Sequence, residues 1–320
     1  MIDSEAIKSA YQEAHNEILA VRHGERTPLR MLGADRLDLL NRMSTNEVDP
    51  MKVGTWKTTV LTNAVGRMID HVILFSNAEE ATLLTSEGWQ DAVQKWLSGY
   101  VFFQDDVRFE AGNPFIHWSL LGAQVGELGE FPEIPEGQFQ ISESSTFWRS
   151  APPSVSALEI LADNRLDQEL QSRFPSDEYA IDRQVYEIMR IESGSPAYGK
   201  DFDEDTIPLE AGLWGSVSFS KGCYIGQEII ARLESRGRLA KKLMGVRLDE
   251  PAYEGDELFQ DRSRVGRLTS VSESPELGWI GLAMVRSIAA DSDMTTVTVG
   301  RAGPAARLAR LPITSIKEPA

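Results

Sequence analysis

Cysteine is nearly absent from this sequence, and Cys223 is the single example among 320 residues. One thiol permits no internal disulfide and no thiolate metal site, which is typical of proteins in a reducing compartment. The sequence also lacks an apolar run of the roughly 18 residues that can span a bilayer. Its first residues, MIDSEAIKSAYQEAH, lack the basic start and apolar stretch of a secretory signal. These absences predict a cytoplasmic protein that does not enter membranes.

Basic residues are few, because 32 Lys and Arg stand against 49 Asp and Glu, for a formal net charge of -17. Nucleic-acid affinity depends largely on clustered basic side chains that displace counterions, so this balance argues against direct nucleic-acid binding. Residues 232–242, RLESRGRLAKK, form a local basic strip. Two interpretations of the strip stay open: a surface for an acidic partner, or a solvated turn.

Several common active-site motifs are missing as well, namely the P-loop, the Gly-x-Ser-x-Gly elbow and the Gly-x-Gly-x-x-Gly loop. The four histidines lie far apart without metal-ligand spacing, which argues against zinc. DFDEDT places Asp201, Asp203 and Asp205 at alternate positions, as in a calcium loop. Thr206 and Gly212 occupy the positions where such a loop needs Gly and Glu. We therefore expect a solvated acidic loop.

The length of 320 residues predicts two or three packed units, and strands followed by helices predict an α+β arrangement. TWKTTVLTNAVGRMIDHVILF predicts a β-hairpin that turns between Asn63 and Gly66. DEYAIDRQVYEIMRIESG predicts an amphipathic helix that stops at Gly194. After Gly237 the sequence changes to short β runs separated by turns, which predicts an antiparallel barrel or sandwich.

The segment around the cysteine is SFSKGCYIGQEIIARLESRG, residues 218–237. If YIGQEIIARLES is a helix, its buried face holds Ile225, Ile229 and Leu233, and Cys223 lies at the helix entrance beside Lys221. A helix amino terminus and a nearby ammonium would both stabilise a thiolate, so the pattern allows a reactive thiol. The alternative is that the cysteine is a small buried apolar residue.

Glu192 follows the predicted helix in RIESGSPAYGKD. A carboxylate in a cleft can accept two N–H hydrogen bonds from the edge of a planar heterocycle. The alternative is an exposed or capping carboxylate.

Four segments together resemble the folate-binding aminomethyltransferase superfamily. They are GADRLDLLNRMSTNEVDPMKVGTWKTTVLTNAVGRMIDHVILF, RIESGSPAYGKDFDEDTIPLEAGL, FSKGCYIGQEIIARLESRG and GRLTSVSESPELGWIGLAMVR. Within that superfamily, KGCYIGQE resembles the mark of the YgfZ branch, which is close to the mitochondrial iron–sulfur assembly factors. The glycine cleavage T-proteins share the frame without this cysteine motif. The resemblance runs from about Leu19 to near the carboxyl terminus.

The resemblance implies a cloverleaf-like α+β fold, in which two α+β parts surround a central channel and a carboxyl-terminal antiparallel β-barrel closes the molecule. The implied parts are residues 1–125, a first folate-binding part; 126–237, a second part with KGCYIGQE; and 238–320, the barrel.

The implied cofactor is tetrahydrofolate or a one-carbon derivative held in the channel, with Glu192 reaching the pterin. Cys223 is the implied working residue, assisted by Lys221. The other residues implied to line or border the pocket are Thr45, Asn46, Asn63, Tyr224, Gln227 and Arg232.

The chain departs from the T-proteins after the hairpin turn, where their paired aspartates correspond to Asp70-His71. Neighbouring residues of a strand point to opposite faces, so only one of the two can face the channel. If Asp70 faces it, Asp70 is a candidate catalytic carboxylate for one-carbon transfer. If His71 faces it, the transfer role is doubtful. The flanking residues are apolar on both faces and leave the choice open.

Three functions follow as hypotheses. The first is a folate-binding accessory protein for the assembly or repair of iron–sulfur clusters, whose partners are folate and iron–sulfur client proteins such as radical tRNA-modifying enzymes. The second is a tetrahydrofolate-dependent aminomethyltransferase or methyltransferase of the T-protein type. The third is a folate-sensing module without chemistry. In each, the basic strip could face an acidic client or the glutamate tail of folate.

Overall fold

A computed structural model describes residues 4–128, 131–150, 157–176, 179–237, 239–289 and 295–313. They form two five-stranded sheets, six α-helices and a closed barrel. Within the described residues, no helix is both long and apolar enough to cross a membrane.

Sheet 1 contains the first strand of the chain and four later ones. Its strands are β1 (Leu19–Arg26), β7 (Phe115–Leu121), β8 (Phe139–Ser142), β9 (Ser145–Ser150) and β10 (Ala157–Ala162). They lie in the order β1-β7-β10-β9-β8, and all pairs are antiparallel. The helices associated with this sheet are α1 (Ser4–Asn16), α4 (Asn164–Arg173) and α5 (Tyr179–Ser193). Sheet 1 takes strands from both sides of the boundary proposed at residues 125 and 126.

Sheet 2 is built from one continuous stretch of chain. Its strands are β2 (Leu29–Leu32), β3 (Thr55–Thr62), β4 (Met68–Ser76), β5 (Glu80–Leu84) and β6 (Arg108–Ala111), in the order β3-β4-β5-β2-β6. Helices α2 (Arg36–Met43) and α3 (Gln90–Ser98) place apolar side chains against it, so that Leu39, Leu40 and Leu97 are fully buried with the strands. This burial is the main stabilising contribution of the sheet.

The carboxyl-terminal region is a closed six-stranded antiparallel barrel. Its strands are β11 (Lys241–Leu248), β12 (Glu257–Gln260), β13 (Ser263–Ser274), β14 (Gly278–Arg286), β15 (Thr296–Val299) and β16 (Ala305–Ala309). Short strands with a buried inner face fill the barrel with apolar side chains such as Val246, Leu268 and Val285. The predicted mixed fold with a carboxyl-terminal barrel is confirmed.

The predicted hairpin of β3 and β4 is confirmed, and its turn also packs against a distant part of the chain. The Asn63 side chain accepts hydrogen bonds from the backbone N–H groups of Val65 and Arg67 at 3.1 and 3.0 Å. Gly66 and Gly226 have positive φ angles and meet closely, because a Cβ added to Gly226 would lie 2.8 Å from the Gly66 Cα. The hairpin tip is therefore packed against the start of α6 (Gln227–Arg236).

Two local predictions need correction. Helix α6 begins at Gln227 rather than near Tyr224, and its fully buried side chain is Ile230, whereas Ile225, Ile229 and Leu233 are only partly buried. The left-handed conformation of Gly226 delays the helix start.

The acidic loop is the second correction. Asp201 is buried rather than solvated, and only the following residues of the loop, from Asp203 to Asp205, are exposed. Among the described residues, no group of three or more His, Cys, Asp or Glu could hold a metal ion.

Candidate functional site: a central cavity and a separate cysteine loop

A cavity of about 450 Å³ lies between the two sheets. Strands β3 and β4 of sheet 2 form one wall, and β7, β9 and β10 of sheet 1 form the facing wall. Helix α5 and residues 195–202 contribute a further side. We call this space the central cavity, and it is the candidate for the channel that the sequence predicts.

Glu159 is the buried carboxylate of the cavity wall. It lies on β10, whose side chains are all buried, and it is 5% exposed. Its Oε2 accepts hydrogen bonds from His117 Nε2 at 2.9 Å and Ser119 Oγ at 2.5 Å, and its Oε1 accepts one from Ser150 Oγ at 2.8 Å. An ionised carboxylate has about four acceptor positions, so Glu159 retains capacity for a further donor from a ligand.

Stacked rings flank Glu159. The His23 and His117 rings lie 4.6 Å apart at 22°, and the His117 and Trp148 rings lie 5.9 Å apart at 10°. Pairing of β1 with β7 brings the two histidines together although they are far apart in sequence. Burial lowers the pKa of His23 well below its ordinary value, so this ring is neutral. His117 and Trp148 of this stack line the cavity and give its wall an aromatic character.

The choice between Asp70 and His71 is decided by strand β4. His71 lines the central cavity, and its Nε2 lies 2.9 Å from Ser216 Oγ. Asp70 is completely buried, and its carboxylate accepts hydrogen bonds from the Ser86 N–H at 2.9 Å and the Ser86 hydroxyl at 2.5 Å. Burial raises the pKa of Asp70. The imidazole, rather than the carboxylate, therefore faces the cavity from this strand.

Acidification from pH 7 to pH 5 is expected to lower the free energy of unfolding by about 2 kcal/mol through His71 alone. Burial lowers the pKa of His71 from 6.5 to about 4 in the folded state. As the pH falls between these two values, the histidine takes up a proton in the unfolded chain but not in the folded one, and this proton uptake stabilises the unfolded state. Urea unfolding at both pH values would measure the effect, with His71→Gln as the control that cannot titrate. Equal losses in both proteins would contradict a neutral, buried His71.

Two indole N–H groups of the cavity wall lack partners among the described residues. Trp56 Nε1 and Trp148 Nε1 are buried and donate to no acceptor in that part of the chain, although both rings line the central cavity. Buried donors without partners are uncommon in proteins and call for an explanation. A bound ligand with carbonyl oxygens would supply acceptors for these two donors.

Glu192, the residue that the resemblance implies as the pterin ligand, lies outside the central cavity. It belongs to the last turn of α5, where Ser274 donates a hydrogen bond to it at 2.6 Å and Tyr11 donates at 3.0 Å. Burial raises the pKa of Glu192. It joins α1, α5 and the barrel and is not among the described residues that line the central cavity.

Cys223 lies in an exposed loop outside the cavity. We call residues 218–226 the cysteine loop; within it Gly222 and Cys223 are exposed, whereas Lys221 and Tyr224 on either side are buried. Cys223 precedes the first residue of α6, Gln227, by four positions, so it does not lie at the helix entrance. The predicted contribution of the helix terminus to thiolate stability is therefore not supported by this geometry.

The Lys221 ammonium is hydrogen-bonded to backbone carbonyls at the end of α2. It donates to the carbonyl oxygens of Asn41, Ser44 and Asn46 at 2.8, 2.9 and 2.5 Å. Burial lowers the pKa of Lys221 to about 8, so the group is mostly charged at neutral pH and uses its three donors on these carbonyls. Lys221 caps the carboxyl end of α2, and the predicted assistance to Cys223 is corrected accordingly.

Thr45 and Asn46 fix neighbouring backbone rather than line the cavity. The Thr45 hydroxyl donates to the Ser216 carbonyl at 2.6 Å, and the Asn46 amide donates to the Thr58 carbonyl at 2.9 Å. Both residues therefore connect the end of α2 with the cavity wall from behind.

The other predicted residues lie near the cysteine loop. Asn63 shapes the hairpin turn, Tyr224 packs with α6, Gln227 begins that helix, and Arg232 is exposed on it. None of the predicted site residues is among the described residues that line the central cavity.

Sequence analysis missed Glu159, His117 and the two tryptophans of the wall. One signal for Glu159 was present, because ALEILA places a single charge inside an otherwise apolar strand. A buried charge of this kind is costly without partners and often marks a site. The histidine stack depends on long-range strand pairing and leaves no local pattern.

The comparisons with known proteins agree with the fold. Residues 241–314 match the glycine cleavage T-protein C-terminal barrel domain. The chain is 28% identical over 291 residues to a protein of Arabidopsis thaliana named as a candidate chloroplastic transferase, and the match covers 85% of this chain but only 66% of that relative. It is 24% identical over 262 residues to an aminomethyltransferase of Thermosynechococcus vestitus, with 78% and 71% covered.

A solved structure has the same fold. The glycine cleavage system aminomethyltransferase T from Bartonella henselae superposes with a TM-score of 0.83 and 18% identity, over 96% of this chain and 89% of that one. The chain is therefore similar to T-protein-type aminomethyltransferases in its barrel and in its curated relatives, and it shares the fold of the solved structure.

Proposed function

We propose that this chain is a folate-binding accessory protein for iron–sulfur enzymes, in which the central cavity holds a tetrahydrofolate and Cys223 acts at the surface. The main support for the proposal is that His71 lines the cavity wall. By the resemblance, this position corresponds to the second aspartate of the pair in the T-protein transferases. The cavity retains groups that suit folate binding, whereas Asp70 is buried behind the wall. The Cys223 thiol, by contrast, is exposed to solvent and accessible to a client protein.

The cavity residues fit a reduced pterin. Its volume of about 450 Å³ falls within the range of about 300–1,000 Å³ usual for ligand pockets. Glu159 would accept hydrogen bonds from the N–H edge of the ring, and the unpaired indoles of Trp56 and Trp148 are donors suited to a ring carbonyl. A bound tetrahydrofolate would supply a carrier for a one-carbon group. The flat ring stack at His117 would orient the heterocycle.

The cysteine loop supports the iron–sulfur part of the proposal. KGCYIGQE resembles the YgfZ motif, and the loop presents its thiol to solvent between two buried anchors. An exposed thiol on an anchored loop is accessible to a client protein without rearrangement of the fold.

Complementation tests this function. In a strain that lacks its own YgfZ-type protein, the activity of a cluster-dependent tRNA-modifying enzyme is measured with the parent chain, Cys223→Ser and Asp70→Asn. We expect rescue by the parent and loss of rescue with Cys223→Ser, because serine retains the size but not the thiol. Rescue by Cys223→Ser at the parent's level would overturn the proposal, provided that immunoblots show equal protein levels.

A second function, T-protein-type aminomethyltransferase, is favoured by the names of the curated relatives. Under this hypothesis the folate accepts a methylene group from an amine donor. Purified protein, tetrahydrofolate and candidate donors, including lipoyl-bound aminomethyl groups, would reveal such a transfer by mass spectrometry of the folate. The hypothesis fails if no donor yields a one-carbon folate above the protein-free control.

A further inference from the structure

Ser216 lies between the wall of the central cavity and the cysteine loop. It ends a short 3₁₀ turn, Trp214–Ser216, and is buried. Its hydroxyl oxygen lies 2.9 Å from His71 Nε2 and 2.7 Å from Thr58 Oγ, and both of these residues line the cavity. Ser216 therefore contacts the cavity wall from behind.

The same residue begins a chain of hydrogen bonds that reaches the cysteine loop. The Ser216 carbonyl accepts from the Thr45 hydroxyl at 2.6 Å, and the Thr45 carbonyl accepts from the Ser218 N–H at 2.9 Å. Ser218 Oγ then accepts from the Lys221 N–H at 3.2 Å. Lys221 is one of the two buried residues between which Gly222 and Cys223 are exposed. Each step of this path is a direct contact.

The cavity end of the path has two hydrogen-bonded arrangements. In one, His71 Nε2–H donates to Ser216 Oγ, and Ser216 donates to Thr58. In the other, Thr58 donates to Ser216, and Ser216 donates to an unprotonated His71 Nε2. Burial keeps the ring neutral by lowering the pKa of His71 to about 4, so both tautomers are available at neutral pH. A ligand that hydrogen-bonds to the other ring nitrogen would select one arrangement.

We propose that Ser216 is a positioning residue through which a ligand in the central cavity changes the reactivity of the Cys223 thiol. This inference rests on the proposed folate binding and concerns its regulation of the same protein's thiol. Selection of one arrangement fixes the Ser216 turn, and the turn fixes the cysteine loop through Thr45 and Ser218. Ordering of the loop lowers the fraction of time in which the thiol is open to attack.

The single cysteine makes the test direct, because alkylation of the full-length chain by iodoacetamide, followed by intact mass, reports on Cys223. The probe is 5-formyltetrahydrofolate, and its binding to each variant is measured separately by calorimetry. We expect saturating ligand to slow alkylation of the parent about fivefold, the lower end of typical coupling between sites. Ser216→Ala should bind the ligand and alkylate at a rate that the ligand does not change.

Two further variants complete the design. Ser216→Thr retains a hydroxyl and should restore the ligand effect, whereas Ser235→Ala, an exposed serine of α6, should leave it intact. If Ser216→Ala does not fold, Thr58→Val removes the other end of the same hydroxyl chain. Absence of binding to the parent would refute the proposed folate function. Binding without a change of alkylation rate, or an unchanged ligand effect in Ser216→Ala, would refute the coupling.

Discussion

Replacement of Asp201 by alanine is expected to lower the free energy of unfolding by about 3–5 kcal/mol. The carboxylate is fully buried and pairs with Arg190 Nη1 at 2.6 Å. It also accepts hydrogen bonds from the Thr269 and Ser270 hydroxyls at 2.6 and 2.8 Å and from the Ala197 N–H at 3.0 Å. One side chain thus connects α5, the following loop and barrel strand β13, and its loss leaves the buried Arg190 charge without this partner.

Urea unfolding followed by circular dichroism would measure this change. Asp203→Ala is the matched control, because it removes a carboxylate from the same loop at an exposed position. We expect that control to cost less than about 1 kcal/mol, as is usual for exposed positions. A loss below about 1 kcal/mol in Asp201→Ala would contradict the role assigned to this network.

Replacement of Glu159 by glutamine is expected to weaken folate binding about tenfold to a hundredfold, as for loss of a hydrogen bond to a charged group. Glutamine keeps the size of the side chain, but its NH₂ group opposes the N–H donors of a pterin edge. The partners His117, Ser119 and Ser150 would remain in place around it. Calorimetry with 5-formyltetrahydrofolate would give both affinities.

Glu192→Gln is the matched control, because Glu192 is an equally buried carboxylate outside the cavity. We expect its folate affinity to equal that of the parent. The reverse result, with weak binding in Glu192→Gln and normal binding in Glu159→Gln, would show that the sequence-based assignment of the pterin ligand is right and the cavity assignment is wrong. Circular dichroism of both variants would confirm that each is folded.

Sequence patterns predicted the parts of this protein that depend on near neighbours. The β3–β4 hairpin and the end of α5 at Gly194 follow from apolar periodicity and from turn residues a few positions away. Short β runs separated by turns predicted an antiparallel barrel or sandwich, and the resemblance implied the barrel, which the structure has.

Features that depend on distant contacts were not predicted. Asp201 was expected to be solvated because its partners, Arg190 and Ser270, lie on other elements. The direction of His71 could not be read from β4 because both faces of that strand carry apolar residues. The resemblance identified the cysteine motif, but it did not predict the position of the Lys221 ammonium, which hydrogen-bonds to the end of α2.

Closure of the barrel has a consequence for behaviour at high concentration. The six described strands of the closed barrel include no edge strand, so they offer no row of free backbone groups to another chain. The edges that remain among the described residues belong to the two sheets. In these, β8 has four residues, β6 carries Arg108 and Glu110, and the longer edge strand β1 carries Arg22, Glu25 and Arg26. The outer edge of β3 is partly covered by bridges to Ser44 and Gln138. Short, charged or covered edges resist intermolecular strand pairing, and the architecture thereby guards this chain against β-sheet aggregation.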